Sequence, residues 1–201
     1  MIRQMAEAVA VQDHHHTSTG LDSWKVGFWA FLGSECLFFG TLITTYMVYK
    51  GASVSGPLPE EILNIPLTSI STFVLLMSST AMVLALDAVR RGQKGATLSW
   101  LAGVIVLGSA FLGFQVYEFT HFVHEGLTIQ ENVFGSSFFV LTGFHGAHVT
   151  VGVIWMVTLF VRSLMGKLPP EKALQVESAG LYWHFVDIVW IVIFTLVYLI
   201  Q

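Results

Sequence analysis

Six ionisable side chains stand inside long apolar stretches of this sequence: Glu35, Glu118, His145, His148, His184 and Asp187. A charge at the centre of a membrane helix costs about 2.5–3.5 kcal/mol on insertion scales. Such groups need partners, neutralisation or a water path, so any chemistry is to be sought there. Glu35 sits between Phe31, Phe38 and Phe39. A carboxyl in that setting can exchange protons. It can equally be an acid that serves packing alone, hydrogen-bonded to a backbone carbonyl or a histidine, with His148, or failing that His145, as the expected partner. The pairs His145/His148 and His184/Asp187 have i, i+3 spacing, which puts each pair on one helix face.

Three readings of these residues are open. Glu118-x-x-His121 matches the Glu-x-x-His unit of carboxylate-bridged di-iron bundles, but that site needs a second such unit and further glutamates in the same layer. The sequence supplies neither. His145 and His184 could clasp a haem between two helices. The plainest reading is a polar network that links helices through His145, His148, His184, Asp187 and Glu118, with no metal and no cofactor held by this chain. The run His14–His16 is assigned no role.

The elements that must position these groups follow from composition. Of 201 residues, 54% are hydrophobic and 11% charged, and mean hydropathy is +0.71. A soluble domain carries roughly a quarter charged residues, so lipid is the expected solvent. A soluble enzyme, a disordered chain and a disulfide-stapled module are excluded. The net charge of −4 argues against nucleic acid, which needs a clustered basic surface. Cys36 is the only cysteine, so no internal disulfide can form. The first twenty residues lack the features of a secretory signal, and the first membrane helix is expected to direct its own insertion.

Long apolar runs predict an all-α, polytopic bundle of five transmembrane helices at about 24–49, 67–89, 97–122, 133–161 and 178–200. Residues 1–23 are expected to form a mobile cytoplasmic segment. With the N-terminus inside, Arg3, Lys25, Arg90, Arg91, Lys94, Arg162, Lys167 and Lys172 fall on the cytoplasmic side and only Lys50 outside. That asymmetry places the C-terminus outside. At about 1.5 Å per residue, Glu35, His145, His148, His184 and Asp187 fall in the inner half of the membrane, while Glu118, His121 and His124 approach the outer interface. The small pairs Ala30/Ser34, Ser109/Gly113 and Gly143/Ala147 are candidates for close helix approach. Trp24, Tyr46, Tyr49, Trp100, Tyr117 and Tyr182 fall near the expected interfaces.

Four runs resemble the signatures of haem–copper oxidase subunit III. They are Gly33-Ser34-Glu35-Cys36-Leu37-Phe38-Phe39, Gln115-Val116-Tyr117-Glu118-Phe119, His145-Gly146-Ala147-His148-Val149-Thr150-Val151-Gly152 and, most specific, Tyr182-Trp183-His184-Phe185-Val186-Asp187-Ile188-Val189-Trp190. They occur in order over about residues 24–200. The resemblance implies a non-catalytic, accessory subunit of a proton-pumping terminal oxidase of the cytochrome c or quinol class, in the bacterial cytoplasmic (inner) membrane. It implies direct packing on subunit I, association with subunits II and IV, and haem and copper held only by partner subunits. Support of proton uptake from the inner side, protection of subunit I during turnover and bound phospholipid belong to the same family picture. Glu35 falls at the family's carbodiimide-reactive carboxylate, which is not an essential member of the pump. The chain resembles the short, five-helix bacterial form, beginning at what would be the third helix of the seven-helix form. The alternative within the resemblance is a subunit-III-like protein associated with nitric oxide reductase.

Overall fold

The computed structural model describes residues 23–50, 63–130 and 132–200. Most of the expected N-terminal segment, including His14–His16, lies outside the described residues. The described residues contain no strand. They form α1 (Ser23–Tyr49), α2 (Ile65–Arg90), α3 (Lys94–His124), α4 (Val133–Leu164) and α5 (Ala173–Phe194). A 3-10 turn (Pro170–Lys172) leads into α5 and a π turn (Thr195–Leu199) continues it. All five helical segments are long and apolar enough to cross a membrane.

Local chemistry sets the helix ends. Asn64 caps α2, its side chain accepting from the Leu67 N–H at 3.1 Å. Asn132 caps α4 by accepting from the Gly135 N–H at 2.6 Å. Helices α2, α3 and α4 each stop at a glycine with positive φ, Gly92 (68°), Gly126 (87°) and Gly166 (70°). At each stop the glycine N–H and the next N–H return to carbonyls of the last turn, as with Gly92 to Val89 and Gln93 to Ala88, both at 2.9 Å. This is the left-handed glycine cap that satisfies the orphan carbonyls of a helix end.

One boundary differs clearly from expectation. The fifth apolar run begins at 178, yet α5 begins at Ala173. Its first turns lie at the polar end of the helix, where Glu177 meets Arg90 at 2.9 Å. Hydropathy marks where lipid begins, whereas the helix starts earlier.

The chain divides into two compact units, Met1–Phe38 and Phe39–Gln201, with the division inside α1. The described part of the first unit is the opening stretch of α1, where Ser34 Oγ donates to the Phe31 carbonyl at 2.7 Å. Glu35 is half-buried there. In the second unit α2 packs along α3 and α5, and α4 packs against α3 and α5, so these four helices enclose a common core. The α2–α3 and α4–α5 turns meet at one end, where Lys94 Nζ donates to the Leu164 carbonyl at 3.0 Å.

Candidate functional site

The core of the second unit is organised around two tryptophans of α5. Trp183 is fully buried, and its Nε1–H donates to Ser78 Oγ on α2 at 2.9 Å. Its ring lies against Gly108 of α3 and Gly152 of α4 so closely that a Cβ at those positions would stand 2.7 and 2.6 Å from ring carbons. One indole therefore touches three helices, and only glycine leaves room for it. Trp190, two turns on, donates to Thr72 Oγ1 of α2 at 2.9 Å.

His145 of α4 is fully buried inside this aromatic core. Its ring stacks on Trp190 (centroids 4.8 Å, planes 25° apart) and meets Phe111 of α3 edge-on (5.8 Å, 89°). Neither ring nitrogen has a hydrogen-bond partner among the described residues. Beside it, Gln115 of α3 donates from Nε2 to the Thr142 carbonyl at 2.7 Å. A Cβ on Gly146 would stand 2.6 Å from Gln115 Oε1, so this glycine admits the amide. His148 turns its Nδ1 to the Phe144 carbonyl of its own helix at 2.7 Å, and Phe39 meets its ring at 4.9 Å. The His148 carbonyl accepts from the Tyr182 hydroxyl of α5 at 3.1 Å.

Two further polar contacts join α2 to its neighbours. Ser79 Oγ and His184 Nδ1 lie 2.5 Å apart. Asp187, one turn beyond His184, is only 3% exposed and also lies beside Ser79. Neither of its oxygens has a hydrogen-bond partner within bonding distance among the described residues. Towards the other end of α3, Glu118 is 4% exposed and its Oε1 accepts from Thr68 Oγ1 at 2.5 Å. The Tyr198 hydroxyl lies beside the same threonine.

The predicted residues thus fall into separate places. His145 stands in the aromatic core, His184 and Asp187 on the α2–α5 seam, and Glu118 on the α2–α3 seam, with His121 and His124 exposed beyond it. Among the described residues no three His, Cys, Asp or Glu side chains converge where a metal ion could sit. Two of the expected interface rings are interior: Tyr46 is fully buried and Tyr182 nearly so. The small pairs on α3 and α4 are not the close approaches either. A Cβ on Gly113 or Gly143 would meet nothing within 4 Å, whereas Gly108, Gly146 and Gly152 are filled by neighbours. Trp183 and Trp190 stand within the fifth-span motif, where nothing in the sequence around them marks a role. Their signal lies in the glycines and hydroxyls of other helices, which only the packing brings opposite them.

Comparison with known proteins gives this core a context. The profile described as cytochrome c oxidase subunit III matches residues 2–201. The chain belongs to that family. Among its relatives, quinol oxidase subunit 3 of Bacillus subtilis (strain 168) is 41% identical over 174 residues, covering 87% of this chain and 85% of the relative. Cytochrome c oxidase subunit 3 of the same strain is 41% identical over 175 residues, covering 87% and 84%. Cytochrome bo(3) ubiquinol oxidase subunit 3 of Pseudomonas aeruginosa (strain PAO1) is 36% identical over 198 residues, covering 98% and 95%. As a member of the subunit III family, the chain is a multi-pass membrane component of a haem–copper oxidase.

Proposed function

We propose that this chain is the accessory subunit III of a proton-pumping terminal oxidase in a bacterial inner membrane, packed on catalytic subunit I and near subunits II and IV. It contributes no redox centre; haem and copper belong to its partners. Its work is to stabilise subunit I and to support proton uptake from the inner side. The observation that carries this reading is the family match along residues 2–201. Relatives named for quinol and for cytochrome c match at the same identity, 41%. That equality suits a subunit that does not touch the electron donor.

The proposed orientation has the N-terminus inside and the C-terminus outside. Its support is the meeting of the α2–α3 and α4–α5 turns at one end, which gathers Arg90, Arg91, Lys94, Lys167 and Lys172. Lys and Arg near span ends favour the cytoplasmic side. Glu35 is the proposed proton-exchanging carboxyl. The interior histidines and Trp183 are proposed to hold the helices in the arrangement that subunit I needs.

The test is to tag the N-terminus, extract native membranes in mild detergent and identify the co-purifying chains by mass spectrometry. A large haem- and copper-bearing subunit with oxygen-reducing activity is expected. Recovery of the chain alone, or with a nitric-oxide-reducing partner, overturns the proposal. Within the recovered complex, E35A is expected to shorten sustained turnover and leave the haem spectrum unchanged. Loss of haem from that variant counts against an accessory role.

A further inference from the structure

The oxidisable side chains of the second unit form a file that crosses its core. Trp155 of α4, half-buried, stands 5.9 Å from Tyr182 of α5 between ring centroids. Trp183 follows Tyr182 in sequence, and Trp190 lies seven residues further, about 10 Å along the helix. Trp190 is 6.5 Å from Tyr198 between centroids. Tyr198 sits in the π turn that continues α5, a geometry frequent at functional sites. The file ends on a polar group: the Tyr198 hydroxyl lies beside Thr68, whose Oγ1 donates to Glu118 Oε1 at 2.5 Å. Glu118 in turn lines a groove of about 620 Å³, with His121 at its exposed rim.

Tryptophan and tyrosine are the side chains that lose one electron most readily, and a tyrosine gives up its phenolic proton as it does so. The chain buries three tyrosines among its described residues, Tyr46, Tyr182 and Tyr198, and only the last has a base within reach. The Tyr46 hydroxyl has no hydrogen-bond partner among the described residues. The Tyr182 hydroxyl donates to the His148 carbonyl, which cannot hold a proton. The Trp190 indole N–H donates to Thr72 Oγ1, a hydroxyl that itself donates to the Thr68 carbonyl. An electron hole on Trp190 therefore has no route to a neutral radical there. At Tyr198 it does, because a carboxylate accepts at both oxygens and Glu118 is reached through one hydroxyl.

We propose that Tyr198 is a one-electron oxidation site, where oxidising equivalents that reach the aromatic core come to rest as a neutral tyrosyl radical. The oxidant is an oxygen-centred radical, which takes one electron from Trp155 and leaves as its anion. The hole moves along the file to Trp190. Tyr198 then gives an electron to the Trp190 radical cation and restores the indole. Its phenolic proton passes to Thr68 Oγ1 as the Thr68 proton passes to Glu118. The products are a tyrosyl radical and a protonated Glu118, which exchanges its proton through the groove. This path is separate from catalytic electron flow, in which the chain takes no part. The inference rests on the oxidase reading only for the source of the oxidant.

The test supplies the oxidant from outside, so its outcome is independent of which complex the chain belongs to. The full chain with its co-purifying subunits, grown with ring-deuterated tyrosine, is flashed with ruthenium tris(bipyridine) and persulfate and freeze-quenched for electron paramagnetic resonance. A tyrosyl signal narrowed by the deuterated label is expected. Y198F, which keeps the ring, is expected to lose it, while Y46F and Y182F retain it. E118Q offers Thr68 an acceptor but cannot take the proton, and is expected to lose the signal as well. T68V keeps the tyrosine and cuts its route to Glu118, so it reads the same step should Y198F fail to assemble. A signal unchanged in Y198F overturns the proposal. So does equal loss in Y46F and Y198F, or a full signal in both E118Q and T68V.

Discussion

Replacing His145 by phenylalanine separates its two possible contributions. The ring packs against Trp190, Phe111 and Phe39, and neither nitrogen is bonded among the described residues. H145F should therefore keep assembly and thermal stability within about 1.5 kcal/mol, as a near volume-conserving swap. H145A should cost about 3–5 kcal/mol through the cavity it leaves. Thermal denaturation of the purified complex reads both, and a collapse of H145F would mean that the imidazole nitrogens are bonded in the assembly. Asp187 poses the complementary case, a buried carboxyl beside Ser79 whose oxygens lie within bonding distance of no donor among the described residues. D187N is expected to be as stable as the parent or more so, because an amide of the same shape is easier to bury than a carboxylate. A marked loss of stability would show that the carboxyl is bonded, by Ser79 or by a partner subunit. The sequence made these residues visible because ionisable groups are rare in apolar runs. It could not show that His145 is held by rings and Glu118 by a threonine fifty residues away, since both contacts cross between helices.

At the scale of elements, α5 acts as the fastener of the second unit. Trp183 reaches Ser78 while filling the spaces left by Gly108 and Gly152. G152A and G108A push a methyl group into a fully buried indole, and each is expected to cost about 1–3 kcal/mol, the usual cost of overpacking. G143A adds its methyl in open space and is the matched control, expected to be neutral or slightly stabilising through helix propensity. The same thermal assay separates them, and equal effects at 143 and 152 would remove Trp183 from its role. The spans themselves were legible from hydropathy, because each helix carries enough apolar residues to cross lipid. The start of α5 was not, because Lys172 and Glu177 read as loop while the backbone is already helical. The i, i+4 pattern of small residues pointed to Gly113 and Gly143, which face open space. The glycines that matter are marked by the large ring opposite each of them, and that pairing is tertiary.

At the scale of the whole molecule, topology is the property most open to a direct check. Alkaline phosphatase, active only outside the cytoplasm, should be active when fused after Gln201 and inactive when fused at Gly92. The reverse pattern would invert the proposed orientation and move Glu35 away from the side of proton uptake. The two tryptophans of α5 also bear on how the protein is made. Translation delivers α5 after α2, α3 and α4, so those three helices enter the bilayer with the seat for Trp183 vacant. The intermediate is tolerable to lipid, because Ser78 and Thr72 already donate to carbonyls of their own helix, those of Leu75 and Thr68. Those hydroxyls are engaged as donors and still free to accept, so an arriving indole N–H adds a bond without breaking one. A chain that stops before residue 183 is thus compatible with the membrane but unlatched, the seat between Ser78, Gly108 and Gly152 left without its indole.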